Sequence, residues 1–193
     1  MSDKPVAAGK SSFDLIDKED TFAIIDIQVH SNFLDMACGV GNYCTEIAHL
    51  IGEKGTVYAV DLWQEGIAAL DQKISVRGIE NIKTIVADIT ARLPVEKDSI
   101  DSCLMATILH DLSKSEQQAA IQEVARLLKP GGMLNILEFK KIEKGPGPPL
   151  KIRMDEQEVE AIVTKYGFTK VAGGGVGEFN YLLKYERLSE TSF

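Results

Sequence analysis

Short apolar runs alternate with helical hydrophobic patterns along most of the chain. The runs at residues 32–36, 56–60, 82–87, 100–106 and 133–139 have the length of buried strands. Between them, apolar residues recur at helical spacing, as at Ile67, Leu70 and Ile74 before Gly78. Because strands that alternate with helices are typical of βαβ units, the pattern predicts a mainly parallel sheet.

The ends of the helices are indicated by caps and glycines. Residues 21–29 are ambiguous, and a helix is favoured at their start. Ser113 and Glu116 have the spacing of a capping box for a later helix. The turn 129–132 (KPGG) is expected to end that helix sharply. The buried faces of the second and fourth helices are predicted to carry Ile47, Leu50 and Ile51, and Ile121, Val124, Leu127 and Leu128, respectively.

The C-terminal third completes the predicted sheet. Residues 144–150 (KGPGPPL) are too rich in Pro and Gly for a helix or a central strand, so we expect a stiff loop. Asp155 is placed to cap a last helix that Gly167 ends. Two strands near 168–172 and 179–185 then form an antiparallel hairpin. The sequence therefore predicts a doubly wound α/β fold with a mostly parallel seven-stranded sheet and a C-terminal antiparallel hairpin.

Length and composition indicate one domain. With 193 residues and 45% hydrophobic residues, the chain can form a real core. We expect a flexible N-terminal tail at residues 1–12 and a single domain at 13–193. Met1–Lys10 has no apolar block of a secretory signal, and no apolar run nears the roughly 20 residues that span a bilayer. A cytoplasmic protein without membrane contact is expected.

The net charge and the cysteines argue against two classes of site. The formal charge is −8, and no Lys/Arg cluster provides the basic face that nucleic-acid binding needs. We therefore expect no nucleic-acid partner. The three cysteines, Cys38, Cys44 and Cys103, have no metal-ligand spacing. They are interpreted as reduced, buried, small apolar residues, and no metal site is predicted.

Three acids follow three of the predicted strands. Asp35, Asp61 and Asp88 lie where the ends of parallel strands meet, at the crevice where such folds bind ligands. The turn 37–41 (ACGVG) lies between the first two acids, and its glycines let backbone approach a ligand closely. A carboxylate at Asp61 suits the two hydroxyls of a ribose.

The Gly-rich turn does not fit a dinucleotide. The dinucleotide fingerprint needs G-x-G-x-x-G, and Cys44 stands at its third glycine. The pyrophosphate of NAD also needs a bare helix N-terminus. Asp35 just before the turn suits a cationic ligand better, and S-adenosylmethionine carries a sulfonium and an ammonium. A nucleotide-dependent oxidoreductase is kept as an alternative.

Four segments resemble the motifs of class I S-adenosylmethionine-dependent methyltransferases. Residues 33–41 (FLDMACGVG) resemble the first motif, and 57–61 (VYAVD) the second-strand acid motif. Residues 86–88 (VAD) are similar to the adenine-contacting acid motif, and 127–134 (LLKPGGML) to the helix-turn-strand signature. The similarity runs from about residue 30 to 187 and is nearest to small relatives of the ubiquinone/menaquinone C-methyltransferases. Ala37 departs from the usual glycine of the first motif.

The resemblance implies a role for each matching residue. The 35–41 loop would hold the methionine part of the cofactor, Asp61 the ribose, and Asp88 the adenine amino group. Leu62 and Ile89 would contact adenine, while Ala106 and Thr107 would line the methyl-donor side. The implied cofactor-binding residues are Asp35, Ala37, Cys38, Gly39, Gly41, Asp61, Leu62, Asp88, Ile89, Ala106 and Thr107.

The acceptor is expected over the ends of the fourth and fifth strands. Candidate residues there are His110, Asp111, Glu138 and Phe139, with the Pro-rich loop as a rim. His110 is the candidate catalytic base, needed only if the acceptor loses a proton. Its alternatives are packing against the cofactor and capping the next helix. For Asp111 a cap ahead of the next helix is favoured, whereas Glu138 can equally be a simple strand-end residue.

Little chain is spare for substrate recognition. Residues 11–17 (SSFDLID) either fold over the site or pack on the surface. A small-molecule substrate is therefore expected, with methyl transfer by in-line displacement. The alternative on the same fold is a catalytically degenerate protein that binds a cofactor or a partner. The sequence indicates neither the acceptor atom nor the oligomeric state.

Overall fold

A seven-stranded sheet forms the centre of the molecule. The computed structural model describes residues 9–189. The strand order is β3-β2-β1-β4-β5-β7-β6; neighbours from β3 to β5 are parallel, and β7 is antiparallel to β5 and β6. The strands are β1 Asn32–Met36, β2 Thr56–Asp61, β3 Ile82–Val86, β4 Ile100–Ala106, β5 Leu128–Phe139, β6 Phe168–Gly175 and β7 Asn180–Arg187. The predicted fold class is confirmed.

Helices cover both faces of the sheet. The helices are α1 Lys18–Ile25, α2 Asn42–Ile51, α3 Gln64–Arg77, α4 Lys114–Leu127 and α5 Glu156–Val163, with 3-10 turns at Leu109–Asp111, Leu150–Ile152 and Thr164–Tyr166. One buried cluster joins the sheet to α4 and α5, and a second joins it to α1, α2 and α3. The chain reverses its direction across the sheet between β1 and β4, where a doubly wound fold opens a crevice.

The predicted caps are present. Ser113 accepts the Glu116 N–H, and the Glu116 carboxylate accepts the Ser113 N–H, which completes the capping box of α4. Asp155 caps α5 with a second box. A helix at the start of the ambiguous segment is also confirmed, since α1 covers its first residues.

Two details of the prediction are wrong. Leu50 is 37% exposed, because Tyr43, Ile47 and Ile51 form the inward stripe of α2. The fifth strand was predicted to begin at residue 133, but β5 begins at Leu128, which already pairs with Ile100 on β4. Helix α4 therefore ends at Leu127, before residues 129–132, and these four residues belong to β5.

Part of the expected N-terminal tail is packed. Ser12 is 1% exposed, and its hydroxyl is 2.9 Å from the hydroxyl of Tyr43 on α2. Residues 1–8 of the expected tail lie outside the described residues. Within residues 9–189, no helix has the length and hydropathy to cross a bilayer.

Candidate functional site

Two adjoining cavities lie at the carboxyl ends of β1, β2 and β4. The larger has a volume of about 450 Å³, and the two share Gly39 and Thr107 in their walls. Most of the predicted cofactor-binding residues line them: Ala37, Cys38, Gly39, Asp61, Leu62, Asp88, Ile89, Ala106 and Thr107. The fold therefore brings together residues that are up to 70 positions apart in the sequence, from Ala37 to Thr107.

Asp61 joins the end of β2 to the loop after β1. Its Oδ2 accepts the N–H of Gly39 at 2.7 Å, and its Oδ1 accepts the N–H of Trp63 at 2.7 Å. Each carboxylate oxygen can accept more than one hydrogen bond, so both can still receive hydroxyl donors. The half-buried carboxylate lies in the wall of the larger cavity.

The glycines of the loop have different tasks. A Cβ on Gly39 would meet nothing within 4 Å, so this backbone is open to a ligand. A Cβ on Gly41 would lie 2.3 Å from Leu70 Cδ1, so Gly41 allows the start of α2 to pack on α3. Gly41 lines neither cavity. Ala37 takes φ 63°, a left-handed conformation that glycine adopts with less strain.

Asp35 lies beneath the loop and does not face either cavity. It is 1% exposed, and the Cys44 thiol donates to its Oδ2 at 2.9 Å. Burial raises the pKa of Asp35 from 3.8 to about 7, against the lowering effect of the Cys44 bond. Cys44 is thus a hydrogen-bond donor as well as a packing residue.

The other cysteines agree better with the prediction. Cys38 and Cys103 are buried and free, and Cys38 contributes to the wall of the smaller cavity. Burial raises the pKa of the Cys103 thiol well above its ordinary value. No cluster of His, Cys, Asp and Glu within residues 9–189 has the arrangement of a metal site.

The far end of the larger cavity combines apolar walls with one acid. Ile89 is buried and Leu62 is 60% exposed, both in the cavity wall. Asp88 is exposed, and its Oδ1 accepts the N–H and the hydroxyl of Thr90 at 2.8 and 2.7 Å. A flat aromatic ligand with a polar edge fits this combination of surfaces.

Trp63 also lines the cavity and was not predicted. Its ring lies on the first turn of α3, where a Cβ on Gly66 would be 2.4 Å from Trp63 Cε3. The signal was present in the sequence, because the single tryptophan follows Asp61 by two residues.

The N-terminal segment runs along both cavities. Gly9 and Lys10 line both of them, and residues 11 and 12 line the smaller one. Phe13 is packed edge-on against Tyr43, with ring centroids 5.0 Å apart. Residues 11–17 were expected either to fold over the site or to pack on the surface. The first two of them border the smaller cavity, and Phe13 packs on α2.

The end of β4 holds a strained residue. Thr107 takes φ 53°, which is rare for a β-branched side chain. Its N–H donates to the Leu137 carbonyl on β5 at 2.7 Å, which helps to hold this conformation. Strain of this kind is concentrated at functional sites, and Thr107 borders both cavities.

His110 is held by two carboxylates. Its Nδ1 is 2.6 Å from Glu138 Oε2, and its Nε2 is 3.6 Å from Asp111 Oδ1. The His110 ring is 4% exposed and the Glu138 side chain 0%. Burial disfavours the imidazolium, but the hydrogen bond and charge of Glu138 outweigh it and raise the pKa of His110 above its ordinary value.

His110 and its sequence neighbour Asp111 line different cavities although their side chains are in contact. Asp111 lines the larger of the two adjoining cavities, whereas His110 lines a cavity between α4 and α5. The cap of α4 is Ser113, so Asp111 is not the cap. A catalytic role for His110 stays a prediction.

Arg153 shapes the Pro-rich loop beside Phe139, a role that the sequence did not indicate. Its Nε donates to the Pro148 carbonyl at 2.9 Å, and its Nη2 to the Pro146 carbonyl at 2.9 Å. Its Nη1 donates to the carbonyls of Lys140 and Ile142. The guanidinium also lies 5.7 Å from the Phe139 ring centroid. One side chain therefore fixes the shape of the Pro-rich loop.

Known proteins resemble this chain in sequence and in fold. Residues 33–132, just over half of the chain, match a family described as a methyltransferase domain. The chain is 28% identical over 121 residues to demethylmenaquinone methyltransferase of Geobacillus kaustophilus. It is 30% identical over 124 residues to the ubiquinone/menaquinone biosynthesis C-methyltransferase UbiE of a Shewanella species.

The alignments cover different fractions of the chains that are compared. The two alignments cover 63% and 64% of this chain but 50% and 49% of the relatives, so the chain spans about half the length of these curated relatives. A crystal structure of a SAM-dependent methyltransferase from Aquifex aeolicus aligns with a TM-score of 0.84 at 26% identity, covering 93% of this chain and 94% of that one.

Proposed function

Because this chain belongs to the family of class I S-adenosylmethionine-dependent methyltransferases, we propose that it methylates a small molecule by in-line displacement. The observation that carries the proposal is the set of motif residues, from Ala37 to Thr107, that lines two adjoining cavities at one edge of the sheet. The loop 37–41, the acid Asp61 and the apolar wall with Leu62 and Ile89 follow one another along this edge.

The cavities fit S-adenosylmethionine. A volume of about 450 Å³ lies within the range of small-molecule sites, roughly 300–1,000 Å³. Asp61 offers acceptors for ribose hydroxyls, Ile89 and Leu62 offer apolar surface for adenine, and Gly39 leaves room beside the loop. The buried carboxyl of Asp35 is placed to favour the cationic end of the cofactor through the loop above it.

When bound, the cofactor would supply a methyl group on a sulfonium: the acceptor's electron pair would form the new bond to the methyl carbon, and sulfur would keep the electron pair of the carbon–sulfur bond that breaks. The task of the chain is then to orient the two reactants and to exclude water. Ala106 and Thr107 would form the donor side of the site. The segment 9–12 would cover it.

The acceptor is proposed to be a small organic molecule. The names of the curated relatives make an activated ring carbon of a quinol precursor the first acceptor class to test. Such an acceptor loses a proton, and His110 is then the candidate base. Since its ring is turned to Glu138, the alternative is that His110 positions Asp111 at the cavity wall.

Calorimetry followed by a turnover assay tests the proposal. S-Adenosylmethionine and S-adenosylhomocysteine should each bind at one site per chain, while NADH gives no signal. A screen of quinol precursors and other small phenols should then release S-adenosylhomocysteine with at least one acceptor. NADH binding without a response to S-adenosylmethionine would contradict the cofactor assignment, and binding without turnover in a broad screen would favour the degenerate alternative.

A further inference from the structure

Another cavity lies between α4 and α5, away from the two adjoining cavities at the carboxyl ends of β1, β2 and β4. Its volume is about 500 Å³, which suits a small molecule. Residues at the start of α4, the 3-10 turn Leu150–Ile152 and helix α5 line it, and His110 stands in its wall. We call it the α4–α5 groove.

The α4–α5 groove is strongly cationic in an acidic protein. Its wall contains the cations Lys114, Lys141, Lys151, Arg153 and Lys165, against the single carboxylate of Glu158. The chain as a whole carries a formal charge of −8. The net negative charge of the chain therefore does not account for the local excess of positive charge in the groove.

Most of this charge has no acidic partner. Glu158 is paired with Lys141 at 2.8 Å. Within residues 9–189, no carboxylate lies within 4.0 Å of the ammonium groups of Lys114, Lys151 or Lys165. Three exposed ammonium groups therefore border the groove without a counter-charge at contact distance.

Arg153 adds a buried cation to the groove wall. It is 6% exposed, and its four recorded hydrogen bonds all go to backbone carbonyls. Among the described residues, no carboxylate lies within 4.0 Å of its guanidinium. Carbonyl dipoles engage four of its five N–H donors but leave its net charge uncompensated, and a buried charge is costly without a partner.

We infer that the α4–α5 groove binds a small anion that carries carboxylate or phosphate groups. Such a ligand would neutralise the unpaired lysines and the charge of Arg153, and Arg and Lys are the usual partners of both groups. The inference goes beyond the proposed methyl transfer and does not depend on it, since the groove shares no lining residue with the cofactor cavities.

A small anion fits better than a polyanion. The cations surround a concavity of about 500 Å³, whereas nucleic acids and lipid surfaces need a basic face that extends along the molecule. A net charge of −8 also opposes the approach of a large polyanion. Nucleic acid and anionic membranes are therefore the alternatives that the test must separate.

The histidines provide a reporter for the test. The chain has three, and His30 and His49 are exposed, while His110 lines the groove. Inorganic phosphate and citrate are titrated separately into the cofactor-free protein at constant ionic strength, and the imidazole resonances are followed by NMR. We expect the His110 resonances to shift saturably with a dissociation constant of about 1 mM or below, and those of His30 and His49 to remain nearly constant.

Charge reversal locates the site. Lys151→Glu and Lys165→Glu should each weaken the stronger of the two anions by at least about fivefold, since each replaces an attractive charge by a repulsive one. Lys54→Glu is the matched control, because Lys54 is exposed and outside the groove. Circular dichroism confirms that all three variants are folded.

The outcomes are distinct. Saturable shifts of His110 that the groove variants weaken and Lys54→Glu does not would support the site, and the comparison of phosphate with citrate identifies the preferred group. Shifts without saturation, equal shifts of all three histidines, or equal loss in Lys54→Glu would overturn it. Binding only to RNA or to vesicles of phosphatidylglycerol would overturn the small-anion site in favour of a polyanion surface.

Discussion

The carboxylate of Asp61 accepts the backbone N–H of Gly39 at 2.7 Å and so joins the end of β2 to the loop after β1. This bond orients the carboxylate toward the larger cavity and fixes the loop in the same step. A change at Asp61 therefore affects both the ribose contacts and the shape of the loop.

Asp61→Ala should weaken binding of S-adenosylmethionine by roughly tenfold or more, because hydrogen bonds to a charged group contribute about 1.5–3 kcal/mol each. Asp61→Asn keeps the size of the side chain and should lose less affinity for S-adenosylmethionine than Asp61→Ala. Calorimetry measures both affinities. Asp71→Ala, an exposed acid on α3, is the control. Unchanged affinity in a folded Asp61→Ala protein would remove Asp61 from the site.

Ala37→Gly should leave stability unchanged or raise it by up to about 1.6 kcal/mol. A Cβ at φ 63° destabilises the folded state by about 1–2 kcal/mol. Glycine also increases the conformational entropy of the unfolded chain, which lowers the free energy of unfolding by about 0.4–1 kcal/mol. Ala37→Val should be destabilised, since a branched side chain tolerates this conformation less. Urea unfolding measures the three proteins. A loss of more than about 1 kcal/mol in Ala37→Gly would show that the methyl group packs usefully.

The fold was predictable because its signals are local. The strands at residues 32–36 and 100–106 coincide with the observed ones, since each is a short apolar run bounded by polar residues. The start of β5 was not predictable in this way. Leu128 reads as the last apolar residue of a helix, and only its pairing with Ile100 across the sheet makes it a strand residue.

The site was predictable as far as its motifs reach. Asp61 and Asp88 stand at strand ends, and the fold brings both to the cavity. The burial of Asp35 was not predictable from the sequence, because the burial of a side chain at the end of a strand depends on the helix that packs over it. Arg153 gave no signal, since its four partners are carbonyls of a loop whose path the sequence does not specify.

Binding of S-adenosylmethionine should release a proton near pH 6–7. The pKa of Asp35 is about 7 in the free protein because of burial, so its carboxyl is largely protonated at pH 6. A sulfonium and an ammonium above the loop favour the carboxylate and lower this pKa. Calorimetry in buffers with different ionisation enthalpies counts the proton.

Asp35→Asn is the matched variant for this proton. It keeps the acceptor for the Cys44 thiol but cannot ionise, so its binding enthalpy should not depend on the buffer. Binding of S-adenosylhomocysteine, which lacks the sulfonium charge, should release fewer protons than binding of S-adenosylmethionine. If the wild type and Asp35→Asn release the same number of protons, another group is responsible.

The stability of the wild type should depend on His110 with a defined sign. The pKa of His110 is raised in the folded state, against the effect of burial, by its bond to Glu138. The folded state therefore keeps a proton that the unfolded chain loses above its ordinary pKa of 6.5. Its contribution is fully present below pH 6.5 and is lost as pH rises through the raised pKa.

His110→Gln tests this sign, because the variant has no ionisable group there. The difference in free energy of unfolding between wild type and His110→Gln should be larger at pH 6 than at pH 9, measured by urea unfolding. His49→Gln, which changes an exposed position on α2, is measured beside it as the comparison variant. A difference that is constant between the two pH values would mean that His110 is not charged in the folded protein.

The turnover of His110 variants decides between a base and a positioning residue. With an identified acceptor, His110→Ala should lower turnover by roughly a hundredfold if His110 removes the proton, while cofactor affinity is nearly kept. A base must be neutral to act, so the rate should rise with pH through the raised pKa of His110. Glu138→Gln removes the charge that raises this pKa, and the rising limb should move to lower pH. A rate that is independent of pH, together with weaker cofactor binding in His110→Ala, would instead assign His110 to the support of Asp111 at the cavity wall.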